Sequence, residues 1–110
     1  MLETRCVKVK LKPGSLSRVR AWANELNSRR EEALETMRNE SMVVEATFLD
    51  STSEGDFLIS FLKAESFEKA AIVVQHSLYE IDAYHHKFKQ ETTESATQLE
   101  LLVDLDRINE

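Results

Sequence analysis

The run Phe57-Leu58-Ile59-Ser60-Phe61-Leu62 constrains the fold more than any other stretch of this chain. As a strand it turns Phe57, Ile59 and Phe61 to one side and Leu58, Ser60 and Leu62 to the other, so it is apolar on nearly every residue. A strand that is greasy on both faces is shielded from water on both faces. The sheet that contains it must therefore be covered twice, once by its own helices and once by something else.

The neighbouring pattern supplies the rest of the sheet. Val7, Val9 and Leu11 alternate with Cys6, Lys8, Lys10 and Lys12, which is the period of a strand with one apolar face. Pro13-Gly14-Ser15 ends it with a residue that cannot donate to a ladder, a residue that permits a tight turn, and a residue able to cap a helix. A helix follows from about Ser15 to Asn39, with Leu16, Val19, Ala23, Leu26, Arg30, Ala33 and Met37 on one stripe. At ~1.5 Å per residue it would run roughly 37 Å, longer than a five- to six-residue strand, and so would overhang the sheet. Met42 to Asp50 alternates as a second strand, and Ser51 to Asp56 forms a polar hairpin loop with Gly55 placed for positive φ.

Ser66 can cap a second helical region carried by Phe67, Ala70, Ala71, Val74, Leu78 and Ile81. We expect an interruption around Ser77–Ile81, with Asp82 capping a short third helix. Gln98 to Asp106 alternates again and reads as the last strand. The order is strand, helix, strand, strand, helix, strand. Two such split units close into a four-stranded antiparallel sheet with the first and third strands central. The fold class is thus α+β, ferredoxin-like βαββαβ, with an extended helical region before the last strand. Residues 1–110 form a single domain, since no linker, repeat or low-complexity tract divides them.

This order with a doubly covered sheet resembles the dimeric α+β-barrel superfamily, in which two ferredoxin-like sheets pack face to face. The stretches Val7 to Ser15, Leu26 to Leu34, Ile81 to His85 and Leu101 to Arg107 are also similar to a small microbial family of unknown function. The first resemblance implies a homodimer formed through the sheet face; the second carries no activity to transfer. Pro13-Gly14-Ser15-Leu16 with Val19 is similar to the start of amino-acid-binding ACT domains, but the helix is too long and their Asn-Ile pair is missing. RNA-recognition motifs share the strand order, yet Asp56-Phe57-Leu58-Ile59-Ser60-Phe61 lacks their Lys/Arg-Gly-aromatic lead.

Charge narrows the partners further. Lys+Arg 14 against Asp+Glu 20 gives −6, the wrong sign for a phosphate backbone, so nucleic acid is not an expected partner. No run approaches the roughly 18 apolar residues of a membrane span, and the amino terminus carries no apolar leader. Cys6 is the only cysteine, so no intrachain disulfide or thiolate metal cluster is available. A reducing cytoplasm is the address these features imply.

Chemistry-bearing residues are few. Arg30 sits in the apolar stripe of the long helix; it either anchors a small anionic ligand bidentately or makes a structural ion pair. His76, Asp82, His85 and His86 form the one histidine–carboxylate cluster. Asp82 and His85 are three apart on a helix and could move a proton together; equally, Asp82 is a cap and the histidines are partial core. Tyr84 and His76 could add ligand-binding groups to the same pocket, and Tyr79 a further hydroxyl. Cys6 lies near Lys8 but lacks a resolving cysteine. The Lys8–Lys10 ladder is expected to meet Glu45, Glu100 and Asp104 from the edge strands, around a Leu58–Ser60–Leu62 patch on the second face. No Gly-rich phosphate loop, metal-ligand spacing or Ser-His-Asp spacing occurs, so no cofactor is expected. Two classes of function follow: a small-molecule-binding protein or cofactor-independent enzyme, and a non-enzymatic regulatory sensor or scaffold.

Overall fold

The computed structural model describes residues 1–108. Its elements are β1 (Glu3–Leu11), α1 (Leu16–Ser28), α2 (Arg30–Glu40), β2 (Met42–Thr52), β3 (Gly55–Ala64), α3 (Phe67–Gln75), α4 (Glu80–Thr92) and β4 (Thr93–Gln98). The four strands pair antiparallel in the order β2-β3-β1-β4, with β1 and β3 central. This is the ferredoxin-like arrangement expected from the sequence.

Directly paired residues share a face of a sheet, so the register assigns every side chain. Val9 opposes Leu58 and Val7 opposes Ser60 on the face beneath the helices. There Leu11, Val19, Trp22, Leu58 and Phe88 make the buried core. Lys8 opposes Ile59, Lys10 opposes Phe57 and Cys6 opposes Phe61 on the opposite, open face. The expected partnership of the lysines with a Leu58–Ser60–Leu62 patch is therefore inverted. Glu45 opposes Leu62 and lies with the helices, not with the lysines. Both faces of β3 are greasy, so alternation alone could not say which set turns to the helices.

The long helix is two helices. Arg29 leaves the helical region at φ −106 and ψ 38, just after Asn27-Ser28. Ser28 Oγ donates to the carbonyl of Glu25 at 3.0 Å, the local competition with backbone bonding that makes serine a poor mid-helix residue. Arg29 then spans the joint, pairing with Glu25 at 3.4 Å and Glu32 at 2.6 Å. Gly14 takes φ +79 in the turn before α1, a conformation that a side chain would strain. Ser15 holds the cap position, but its hydroxyl donates back to the carbonyl of Lys12 at 2.6 Å and caps no helical N–H. Ser66 does cap α3, accepting from the Lys69 N–H at 3.2 Å.

The last strand differs most. β4 is Thr93–Gln98 and follows α4 without a loop, whereas the apolar alternation falls on the segment after it. That segment donates from Leu99 N to the carbonyl of Cys6 at 2.9 Å and then runs as an extended arm outside the sheet. Two aspartates fasten it. Asp104 accepts from Thr4 Oγ1 and from Lys63 Nζ, both at 2.8 Å, and Asp106 accepts from Lys63 Nζ at 2.7 Å. Lys63 is only 5% exposed, and its ammonium donates to Thr4, Asp104 and Asp106. Its ammonium holds the Asp104 carboxyl below the usual carboxylate range. Leu101, Leu102, Val103 and Leu105 on the arm remain exposed.

Candidate functional site

Arg30, Asp82 and His85 all line one cavity of about 410 Å³, within the range of small-molecule sites. It lies between α1, α2 and α4 on one side and β2 and β3 on the other. Its apolar wall includes Trp22, Leu26, Leu62 and Ile81. A second space of about 430 Å³ continues from it along the sheet and shares Trp22, Glu45, His85 and Lys89.

Each side chain is set by its element. The break at Arg29 puts Arg30 at the first position of α2, where it is exposed at the cavity rim and not packed in a stripe. The break between α3 and α4 falls at residues 76–79, so Asp82 occupies the first turn of α4 and Tyr79 the cap position. Asp82 accepts from Ser77 Oγ, which in turn accepts from the Tyr79 N–H at 3.1 Å. A carboxylate in that turn also suits the positive end of the helix. Asp82 therefore pins the helix start from the first turn; the cap itself is Tyr79.

His85 is held from the other side. The Trp22 indole N–H donates to His85 Nδ1 at 2.9 Å. The indole stacks on Phe88 with centroids 4.5 Å apart and planes 5° apart. Burial, with Lys89 and His86 adding repulsion, pushes His85 down to about 4. The expected Asp82–His85 proton couple is thus not formed: one is bonded to Ser77, the other to Trp22. An imidazole this reluctant to charge is a poor base near neutrality.

Tyr84 and His76 do not belong to the cavity wall. Tyr84 packs against the core cluster beside α1, where its hydroxyl accepts from Arg18 Nη1 at 3.5 Å. His76 is exposed at the end of α3. Spacing put both near the histidine cluster in sequence, but the helix break turns His76 away.

The acid groups that do meet there are Glu40 and Glu45. Glu40 is the last residue of α2, where the helix end is itself partially negative. Desolvation pushes its carboxyl up to about 7, Asp82 and Glu45 add repulsion, and Lys89 opposes them. Glu45 comes from β2, is exposed, and lines both spaces. Desolvation raises its carboxyl as well, against the pull of Lys89 and with a push from Asp82. Sequence spacing contained one hint: Glu40 extends the Arg30, Ala33, Met37 stripe by three residues. Among the described residues no group of three or more His, Cys, Asp or Glu side chains is placed to hold a metal ion, and no helix is long and apolar enough to cross a membrane.

Residues 2–110 match the model of a family of unknown function, DUF6176. No curated protein matches the chain in sequence. Its fold is similar to that of PA3566 from Pseudomonas aeruginosa, at 10% identity and TM-score 0.57 over 93% of this chain and 94% of that one. It is also similar to an antibiotic biosynthesis monooxygenase, at 15% identity and TM-score 0.56 over 94% of this chain and 100% of that one. Rv0793 from Mycobacterium tuberculosis aligns at 14% identity and TM-score 0.53, covering 96% of this chain and 100% of that one. At these identities the similarity is one of fold.

Proposed function

The chain belongs to DUF6176, a family of unknown function, and from that premise we propose that it binds a small anionic molecule in the cavity between helices and sheet. One observation carries the reading. Arg18, Arg29 and Lys63 elsewhere are ion-paired, whereas Arg30, Glu40, Glu45, His86 and Lys89 converge on the cavity with no hydrogen bond or ion pair among the described residues. Polar and charged groups gathered around one cavity without fixed partners are a site signal, and the desolvation that raises the Glu40 and Glu45 carboxyls there is left uncompensated.

Arg30 at the rim suits the ligand's anionic end, since a guanidinium can take a carboxylate bidentately. A carboxyl near 7 in the same cavity is matched to proton transfer at neutral pH. If the protein is an enzyme, Glu40 is its acid–base group in this reading, and no cofactor is required for that step. A thermal-shift screen of small carboxylate metabolites tests the proposal. We expect at least one compound that stabilises the parent and loses most of that effect in Arg30→Ala. A screen in which no compound shifts the parent contradicts it.

We also propose that the protein works as a homodimer through its open sheet face, in the cytoplasm. Phe48 is 62% exposed there, opposite Ile59 on the face that also carries Phe57 and Phe61. Such a contiguous apolar surface marks an association site. Sedimentation at micromolar concentration should give the dimer mass; a monomer would refute the pairing.

A further inference from the structure

We propose that Trp22 and His85 act as one recognition unit, in which the indole fixes the imidazole so that His85 offers the ligand a hydrogen-bond donor, Nε2–H, for an uncharged oxygen acceptor such as a carbonyl. The inference rests on the cavity being a ligand site and says which chemistry it reads.

Donor and acceptor capacities decide the tautomer. An indole N–H can only donate. Since Trp22 donates to Nδ1 at 2.9 Å, Nδ1 carries no proton, and a neutral ring must carry its proton on Nε2. An imidazolium would set two N–H groups against each other, so the bond must break before His85 can charge. Trp22 is itself immobilised, 6% exposed and stacked on Phe88. The ring of His85 lines both spaces, and Nε2–H makes no hydrogen bond among the described residues. It is the one polar atom of the unit left for a guest.

The charged surroundings fit this division of labour. α4 contributes Asp82, His86 and Lys89 to the cavity, α2 contributes Arg30 and Glu40, and β2 contributes Glu45. α1, α3 and β3 contribute no charged side chain there. The Glu40 carboxyl is the one raised to about 7, while His85 keeps a single protonation state. His85 is thus a specificity-determining donor and Trp22 its positioning residue.

The device can be read without any ligand. Long-range ¹H–¹⁵N spectra of the full chain should show His85 with bare Nδ1 and protonated Nε2, unchanged between about pH 8 and 5.5. Trp22→Phe keeps a ring in the core but removes the donor to the neutral form, so the His85 titration should move upward. Benzamide, a carbonyl probe without charge, should shift the Nε2–H signal. His85→Phe should weaken it roughly fivefold, which is about 1 kcal/mol at 1.4 kcal/mol per factor of ten, while His85→Gln, which keeps an N–H, should retain most of the affinity.

A proton on Nδ1, or a His85 titration within that window, overturns the proposal whatever the variants do. Equal benzamide affinity in the parent and His85→Phe overturns the donor role and leaves the cavity reading standing. No benzamide contact with the cavity also overturns the donor role, while the carboxylate screen judges the cavity separately.

Discussion

Phe88→Ala should cost about 3–5 kcal/mol of folding stability, the range for removing a buried aromatic side chain from a core that cannot collapse around the void. Phe88 is 2% exposed and lies in van der Waals register with Trp22, between α1 and α4. A domain of this size has a total stability of about 5–15 kcal/mol, so the variant would lose a third or more of it in many cases. Urea denaturation reads the loss as a lowered midpoint with an unchanged slope. The effect should reach the site as well. With the stack gone, Trp22 can rock, and the hydrogen bond that orients His85 goes with it. A Phe88→Ala protein within about 1 kcal/mol of the parent would mean that the aromatic stack is not the core of this fold.

Glu40→Gln should stabilise the protein in a pH-dependent way. The carboxyl stands near 7 in the folded chain and near about 4.3 in an unfolded one. Below about pH 4 both states hold the proton, and Glu40 imposes no penalty. Between these values the unfolded chain releases its proton while the folded chain keeps it, so stability falls as pH rises through 7. Above that the penalty is constant. Because the group is half open to water, screening reduces it to about 1–2 kcal/mol. Urea midpoints of parent and variant should therefore coincide at pH 4 and separate at pH 8, with Glu40→Gln the more stable. A variant destabilised at pH 8 would show that Glu40 has a partner that satisfies its charge. Native proteins retain such groups where function, not stability, requires them.

The sheet was readable because its signals are local. The alternation from Cys6 to Lys12, the glycine of the β2–β3 hairpin and the doubly apolar β3 each depend on residues next to one another. What failed to appear depended on comparison between segments. Asn27-Ser28 weakens a helix only slightly, and nothing in the stripe from Leu16 to Met37 announces that it stops at Arg29. Thr93 to Gln98 is a polar, exposed edge with no apolar side, so the hydrophobic signal passed to the arm beyond it. The arm's alternation is a true sign of an extended chain, but its order comes from Lys63, whose pairing to Asp104 and Asp106 spans 41 and 43 residues of sequence.

The candidate site divides in the same way. Arg30, Asp82 and His85 were visible as unusual residue types in otherwise patterned helices, and they share one cavity. Their expected chemistry changed because their partners are remote in sequence: His85 answers to Trp22 and Asp82 to Ser77. Glu40 looked like an ordinary surface carboxylate, and Glu45 like a cross-strand partner for Lys8 and Lys10. Only the fold brings them to one cavity beside α4, where desolvation raises both carboxyls.

Amide chemical-shift mapping with a stabilising carboxylate tests the central claim most directly, because it locates the guest residue by residue. A guest in the cavity should give perturbations centred on Ala23, Arg30, Glu40, Glu45 and His85, with the open-face residues Lys8, Phe48 and Ile59 unmoved. Shifts confined to the open face and the arm, with the cavity silent, would contradict it.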